Sequence, residues 1–420
     1  MLEIKPRSLS RAEVQVPGSK SYTHRVLIAA ALAQGRSSIE GALFSRDTQL
    51  TAAALTQMGA QITADAAARH FAVAGCGGRF VSGQQEIFLE NSGTSMRLLT
   101  AIAALGQGEY ILDGSPRMRQ RPMAELLNAL KQLKIDASAL HHNGCPPIRI
   151  VGGPIAGGPV QIDCGVSSQY LSALLLMGPL TGKGLEIEVI KGPVSRPYVD
   201  LTLAVMRRFG ISVDAYGYDK FKVAGGQCYR AGTCQVEPDC SQAGYFWAAA
   251  AITGAEIKVR GISADSAQGD LGFVRVLEKM GCRVVFADDG ISVIGGPLRA
   301  LTVDMGDMPD LVPTLAVVAA FAEGTTVMTN VAHLRAKESD RLAAVATELG
   351  KMGIVATCSA DAITVTGGQP RGAQIKTYDD HRIAMSFSLA GLNVAGVKIE
   401  DEMCVGKSFP DYWSVFAGLN

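Results

Sequence analysis

No stretch of about 18 consecutive apolar residues occurs anywhere in the chain, so no membrane-spanning helix is expected. The opening MLEIKPRSLSRAEVQVPGSK lacks the apolar core of a signal peptide. An excess of one charge is also missing. Lys+Arg and Asp+Glu both total 39, leaving no basic face or tail for nucleic acid or a membrane surface. The nine cysteines are odd in number and contain no C-x-x-C pair. Cys228, Cys234 and Cys240 are evenly spaced, yet no histidine lies near enough in sequence to complete a zinc site. Free buried thiols in a reducing cytosol are expected, hence a cytoplasmic globular protein. No complete nucleotide-binding loop is present. Gly406-Lys407-Ser408 has Asp401 where the first glycine is required, and Lys20 does not directly follow Gly18. Asp379-Asp380-His381 could begin a metal site, but adjacent residues rarely ligate together without further partners, and no metal or cofactor is expected.

What is present is apolar and repetitive. Hydrophobic residues make up 48% and charged residues 19% of 420, with 47 glycines, which reads as a well-packed α/β chain of two domains. Five segments share a helical pattern ending in a turn and an apolar strand start: AALTQMGAQI, NALKQLKIDA, AVMRRFGISV, RVLEKMGCRV and TELGKMGIVA. Their turn positions are Gly59, Lys134, Gly210, Gly281 and Gly353, spaced 71 to 76 residues apart. Glycine suits a left-handed residue after a helix; Lys134 is the exception.

A second, almost wholly apolar helical segment lies in each of six units, from YTHRVLIAAALAQG to HRIAMSFSLAGLNVAG. Such a helix is buried all round. Six units divide into three and three. The sixth ends before its closing strand, while AEVQVP near the N-terminus is a spare strand. The N-terminal strand is therefore expected to complete the C-terminal domain. Residues 17–237 would form one domain, and residues 1–16 with 238–420 the other. The crossings would fall near Pro17–Gly18 and near Glu237–Pro238, as a hinge.

Polar residues gather at the starts of these helices. Lys20, Ser21 and Arg25 precede or begin the first buried helix, followed in the next units by Asn91, Gly93, Thr94 and Arg97, then Ser167, Ser168 and Gln169. Asp239, Ser241, Asp310, Asp379, Asp380, His381 and Arg382 do so in the second half. The amphipathic helices are preceded by Arg117, Arg119 and Arg121, by Ser195, Arg196 and Tyr198, by HLRAKESDR (His333–Arg341), and by Lys407 and Ser408. Free amides and the positive end of a helix dipole favour anions. Any one cluster reads equally as a helix cap or a solvated helix start. Recurrence at one position of the repeat favours a site for polyanionic substrates, with arginine forks and lysine charges holding phosphate and carboxylate.

At these residues the chain resembles the 5-enolpyruvylshikimate-3-phosphate synthase (EPSP synthase) family. PGSKSYTHR, ENSGTSMR, RQRPM, SSQYLSALL, SRPYVDLT, MPDLVPTLAV, LRAKESDRL, TYDDHRIAMSFSL and GKSFPDYW resemble its segments in its order, end to end. The resemblance implies an inverse α/β prism of two similar domains, each of three βαββαβ units, with the active site in the interdomain cleft. It implies a monomer that transfers the enolpyruvyl group of phosphoenolpyruvate to shikimate 3-phosphate, releasing phosphate. By the same resemblance, shikimate 3-phosphate is held by Lys20, Ser21, Arg25, Ser167, Ser168, Gln169, Ser195, Asp310, His333 and Lys337, flanked by Arg196 and Tyr198. Phosphoenolpyruvate is held by Lys20, Gly93, Arg121, Gln169, Arg341, Arg382 and Lys407. Asp310 is the expected base with Lys337 close by, and Glu338 and Lys20 are candidates for protonating the methylene. His333 stands where some members carry asparagine, and Leu98 where some carry proline.

Two rivals are set against this. A sister enolpyruvyl transferase acting on UDP-N-acetylglucosamine typically carries a reactive cysteine in the loop that here reads GSPRMRQRP, with none. A non-catalytic anion-binding scaffold would be expected to have lost Glu338 or Asp310; both are present.

Overall fold

The structure is a computed structural model that describes residues 1–419, Ser82 by its backbone alone; Asn420 lies outside the described residues. Twelve α-helices alternate in type along the described chain. They are α1 (Lys20–Leu32), α2 (Arg46–Gln57), α3 (Gly93–Ala103), α4 (Ala124–Gln132), α5 (Gln169–Met177) and α6 (Pro197–Arg208), then α7 (Cys240–Thr253), α8 (Phe273–Lys279), α9 (Val312–Ala319), α10 (Arg341–Lys351), α11 (His381–Ala390) and α12 (Tyr412–Ala417). The odd-numbered helices are apolar and buried nearly all round; α7, for example, encloses Tyr245, Phe246 and Trp247. The even-numbered ones bury one face.

The chain forms two compact units: Gly18–Val236, and Met1–Pro17 together with everything from Glu237 onward. Each has its own apolar core.

In the Gly18–Val236 unit three sheets share one plan, a parallel pair extended by an antiparallel hairpin. Gly158–Asp163 runs parallel to Gly184–Lys191, which pairs antiparallel with Lys220–Ala224, itself antiparallel to Val213–Tyr216. The first sheet takes its leading strand from the unit's own end: Thr233–Gln235 lies parallel to Gln34–Glu40. The residue two before each turn position ties its helix to the next sheet. Gln57 donates to the Glu86 carbonyl, Gln132 exchanges two hydrogen bonds with Gln161, and Arg208 donates to the Thr233 carbonyl.

The second unit is closed by the N-terminus. Arg11–Val14 pairs parallel with Glu256–Arg260, and Leu2–Ile4 pairs antiparallel with Val397–Ile399. The spare strand expected from AEVQVP is there, but so is a second one. LEI is too short to carry an alternation, and only the edge left by Val397–Ile399 makes it a strand.

All five turn positions are left-handed, Lys134 included at φ 60°. The repeat fixes the backbone there and lysine accepts it without glycine's freedom.

Candidate active site

In the Gly18–Val236 unit the helix starts carry buried cations. Lys20 begins α1 after the cap Ser19, whose hydroxyl accepts from the Tyr22 amide. Its Nζ lies 3.6 Å from Asp47 Oδ2. Arg25, one turn on, donates through Nε to Thr202 Oγ1 at 2.7 Å, through Nη1 to the Ser21 carbonyl, and through Nη2 to Ser172 Oγ and the Tyr198 carbonyl. It stitches α1 to α5 and α6. Burial pulls its guanidinium down to about 10, opposed by Tyr198.

Gln169 at the start of α5 is fixed from both sides. Its Oε1 accepts from Arg97 Nη1 and its Nε2 donates to Thr94 Oγ1, each at 2.9 Å. Arg121 Nη1 donates to the backbone and side-chain oxygens of Asn91 at 3.1 and 3.2 Å. A Cβ on Gly93 would sit 2.5 Å from Arg121 Nη2, so the absence of a side chain there lets the guanidinium lie against the α3 start. Ser168 Oγ donates to the carbonyl of Ser195, itself left-handed at φ 55°. Ser167 Oγ accepts from the Gln169 amide.

Four cations, Lys20, Arg25, Arg97 and Arg121, are buried in this unit, and Asp47 is its one equally buried carboxylate among the described residues. Buried charge of one sign is costly unless an opposite charge arrives. The neighbouring arginines do otherwise. Arg119 pairs with Asp113, Arg117 donates to Gln120, and Arg196 lies over the Tyr218 ring; Arg119 and Arg196 are exposed and Arg117 is half-buried.

The second unit holds the carboxylates. Arg341, 1% exposed at the start of α10, joins three of them. Nη1 donates to Asp310 Oδ1 at 2.7 Å, Nη2 to Glu338 Oε2 at 3.0 Å and to Asp380 Oδ1 at 3.2 Å, and Nε to Asp380 Oδ2 at 2.8 Å. Burial works against its charge, but Asp380, Glu338 and Asp310 outweigh burial and hold the guanidinium pKa above the ordinary arginine value. Arg382 Nη2 donates to the other oxygen of Asp310 at 2.9 Å and its Nη1 to the Tyr245 hydroxyl. The solvated-helix reading of HLRAKESDR therefore fails for Glu338 and Arg341, which are buried, although Asp340 does cap α10 by accepting from the Ala343 amide.

His333 is buried in the turn Ala332–Ala336. Desolvation first, and then the Lys337 ammonium, push its pKa down to about 3, so the ring is neutral. Lys337 is half-buried at the end of that turn, and Lys407 ends the turn Glu402–Lys407. Burial raises the Asp379 carboxyl and Lys407 opposes the rise.

The aspartates divide accordingly. Asp239 is a cap, accepting from the Ser241 and Gln242 amides. Asp380 caps α11 and also pairs with Arg341. Asp310 caps nothing; both its oxygens face arginines. The sequence does not single out Asp47, because an aspartate after Ser45 in a helix's first turn reads as a dipole complement. Only its closeness to Lys20 gives it a place.

The family model described as EPSP synthase (3-phosphoshikimate 1-carboxyvinyltransferase) matches residues 4–416. A 3-phosphoshikimate 1-carboxyvinyltransferase of Syntrophobacter fumaroxidans is 44% identical over 99% of both chains. That of Arabidopsis thaliana is 43% identical over 96% of this chain and 81% of its own. Among solved structures, EPSP synthase from Acinetobacter baumannii has a TM-score of 0.81 at 30% identity, covering 100% of this chain and 98% of its own. The enolpyruvyl transferase NikO from Streptomyces tendae, at 21% identity and a TM-score of 0.79 over 99% and 96%, shares the fold.

Three-fold repeated sheets around buried helices, in two units that each carry charged groups at helix starts, define the two-domain inverse α/β fold of an enolpyruvyl transferase. Within that class, the chain belongs to the EPSP synthase family, the enolpyruvyl transferases of the shikimate pathway.

Proposed function

We propose that this chain transfers the enolpyruvyl group of phosphoenolpyruvate to the 5-hydroxyl of shikimate 3-phosphate, releasing phosphate by addition and elimination through a tetrahedral intermediate. The observation that carries this is the imbalance of buried charge: among the described residues one unit buries four cations and a single carboxylate, the other a cluster of carboxylates around two arginines. The first composition suits two substrates that each bear phosphate and carboxylate. The second suits proton transfer.

Lys20, Ser21, Arg25, Ser167, Ser168, Gln169 and Ser195, with Asp310, His333 and Lys337, hold shikimate 3-phosphate. Four N–H groups of Arg25 are spent on the protein, so it contributes charge and one remaining Nη1 hydrogen. Gln169 is oriented by Arg97 and Thr94 to serve both substrates. Lys20, Gly93, Arg121, Arg341, Arg382 and Lys407 hold phosphoenolpyruvate, and their charge stabilises what develops on the departing phosphate. Asp310, oriented by Arg341 and Arg382, takes the proton of the attacking hydroxyl, and Lys337 assists it. Glu338 or Lys20 delivers the proton to the methylene, and the roles reverse in the elimination.

We read the enzyme as a monomer, because strands of the same chain close the sheets of both units. The nine free cysteines support a reducing, cytoplasmic setting.

The deciding experiment measures phosphate release from phosphoenolpyruvate offered with shikimate 3-phosphate or with UDP-N-acetylglucosamine, chelator present. Release with shikimate 3-phosphate alone is expected. Release with the nucleotide sugar alone would overturn the acceptor, and release with neither would leave an anion-binding scaffold.

A further inference from the structure

Counting back five residues from the left-handed position that ends each repeated helix gives Ala54, Ala129, Val205, Val276 and Glu348, all buried. Four repeats treat this as an apolar core position; the fifth places a fully buried carboxylate there. A local rule broken at one repeat, with its cost compensated by specific bonds, marks a functional demand.

Those bonds converge on one turn. Glu348 Oε1 accepts from the Tyr378 hydroxyl at 2.7 Å. Oε2 accepts from the Lys376 amide at 3.1 Å and from Lys351 Nζ at 2.7 Å. Lys351 holds the position that ties helix to neighbouring sheet in the three repeats of the Gly18–Val236 unit, and it too reaches across, to the Gln374 carbonyl. Glu348 adds a grip that those repeats lack. The turn it grips is strained: Tyr378 and Asp379 are consecutive non-glycine residues at φ 57° and 53°. Burial, and then the bond to Glu348, raise the Tyr378 hydroxyl to about 12, which keeps it a donor.

Immediately after the turn come Asp380 and Arg382. The Asp380 amide donates to the Thr377 carbonyl, and the Asp380 carboxylate receives Arg341, Ser339 and the Arg382 amide. Helix α10 thus clamps residues 376–382 twice, through Arg341 at its start and Glu348 two turns later.

We propose that Glu348 is a positioning residue for the reaction: by fixing the Tyr378–Asp379 turn it sets the placement of Asp380, and through it of Arg341 and Arg382. This rests on the assignment of those two arginines to phosphoenolpyruvate.

The test compares wild type, Tyr378→Phe and Glu348→Gln in steady-state kinetics well below their melting temperatures, with amide exchange at Asp380 and Arg382 as a readout independent of turnover. Tyr378→Phe removes one hydroxyl from a half-buried ring and keeps the fold. Its kcat/KM for phosphoenolpyruvate should fall about tenfold, the scale of a sub-ångström misplacement, with the KM for shikimate 3-phosphate unchanged. Glu348→Gln should fall further, and both amides should exchange faster in both variants. Lowered melting temperatures with unaltered kinetic constants and unaltered exchange would reduce Glu348 to a structural brace and overturn the proposal. A rise confined to the KM for shikimate 3-phosphate would overturn it as well. An inert wild type would instead sink the functional reading, while the exchange rates still decide whether Glu348 places the turn.

Discussion

Arg341 Nη1 meets Asp310 Oδ1 at 2.7 Å, and the other oxygen of Asp310 receives Arg382 at 2.9 Å. The proposed base is therefore one node in a net whose other carboxylates, Glu338 and Asp380, share the same guanidinium. Groups coupled this way do not contribute additively.

Removing the shared cation exposes that coupling. Arg341→Ala leaves Asp380, 0% exposed, and Glu338 without their common partner. Breaking a buried pair costs about 3–5 kcal/mol. Both tryptophans, Trp247 and Trp413, lie in the same unit, so urea unfolding followed by their fluorescence should report the loss. A change under about 1 kcal/mol would mean that the carboxylates find other partners.

Glu338→Ala should fold and bind both substrates yet lose about a hundredfold in kcat, the scale of a general acid–base group. Retained turnover moves the proton transfer to another residue.

Gly93→Ala tests the contact with Arg121. The added methyl needs space that the guanidinium occupies, 2.5 Å away. We expect the KM for phosphoenolpyruvate to rise about tenfold or more through displacement of Arg121. Wild-type kinetics would show that Arg121 can shift without consequence.

His333 gives a pH signature. Its native pKa of about 3 lies below the ordinary histidine value, so the folded protein holds the ring neutral while the unfolded chain takes a proton. The stability is fully present above about pH 6.5 and is lost as pH falls toward 3. Between pH 6.5 and 5 one such proton costs about 2 kcal/mol. His333→Asn should flatten the tryptophan-monitored stability profile in that window; an unchanged slope would assign acid sensitivity to other groups.

Lys134→Gly should stabilise the Gly18–Val236 unit by about 1 kcal/mol or slightly less. It removes the left-handed strain at φ 60°, offset in part by glycine's greater entropy when unfolded. Calorimetry that finds a loss would mean that the lysine side chain has a compensating contact.

The sequence by itself determined the repeat. Its period, the two helix types, the turn positions and the crowding of polar residues at helix starts are local patterns, legible because side-chain order along a helix or turn is set within a few residues. AEVQVP was legible as an orphan strand for the same reason. The tertiary structure alone decided which charges matter. Arg117, Arg119 and Arg121 lie within five residues, yet only Arg121 is buried, with its guanidinium against Gly93. Asp239, Asp310 and Asp380 all precede helices, but one is a cap, one a partner of two arginines, and one is both cap and partner. Asp47 and Glu348 gave no signal, for Lys20 and Tyr378, the partners that give them a place, lie 27 and 30 residues away. Burial and pairing depend on groups brought together from distant parts of the chain, and no local pattern records them.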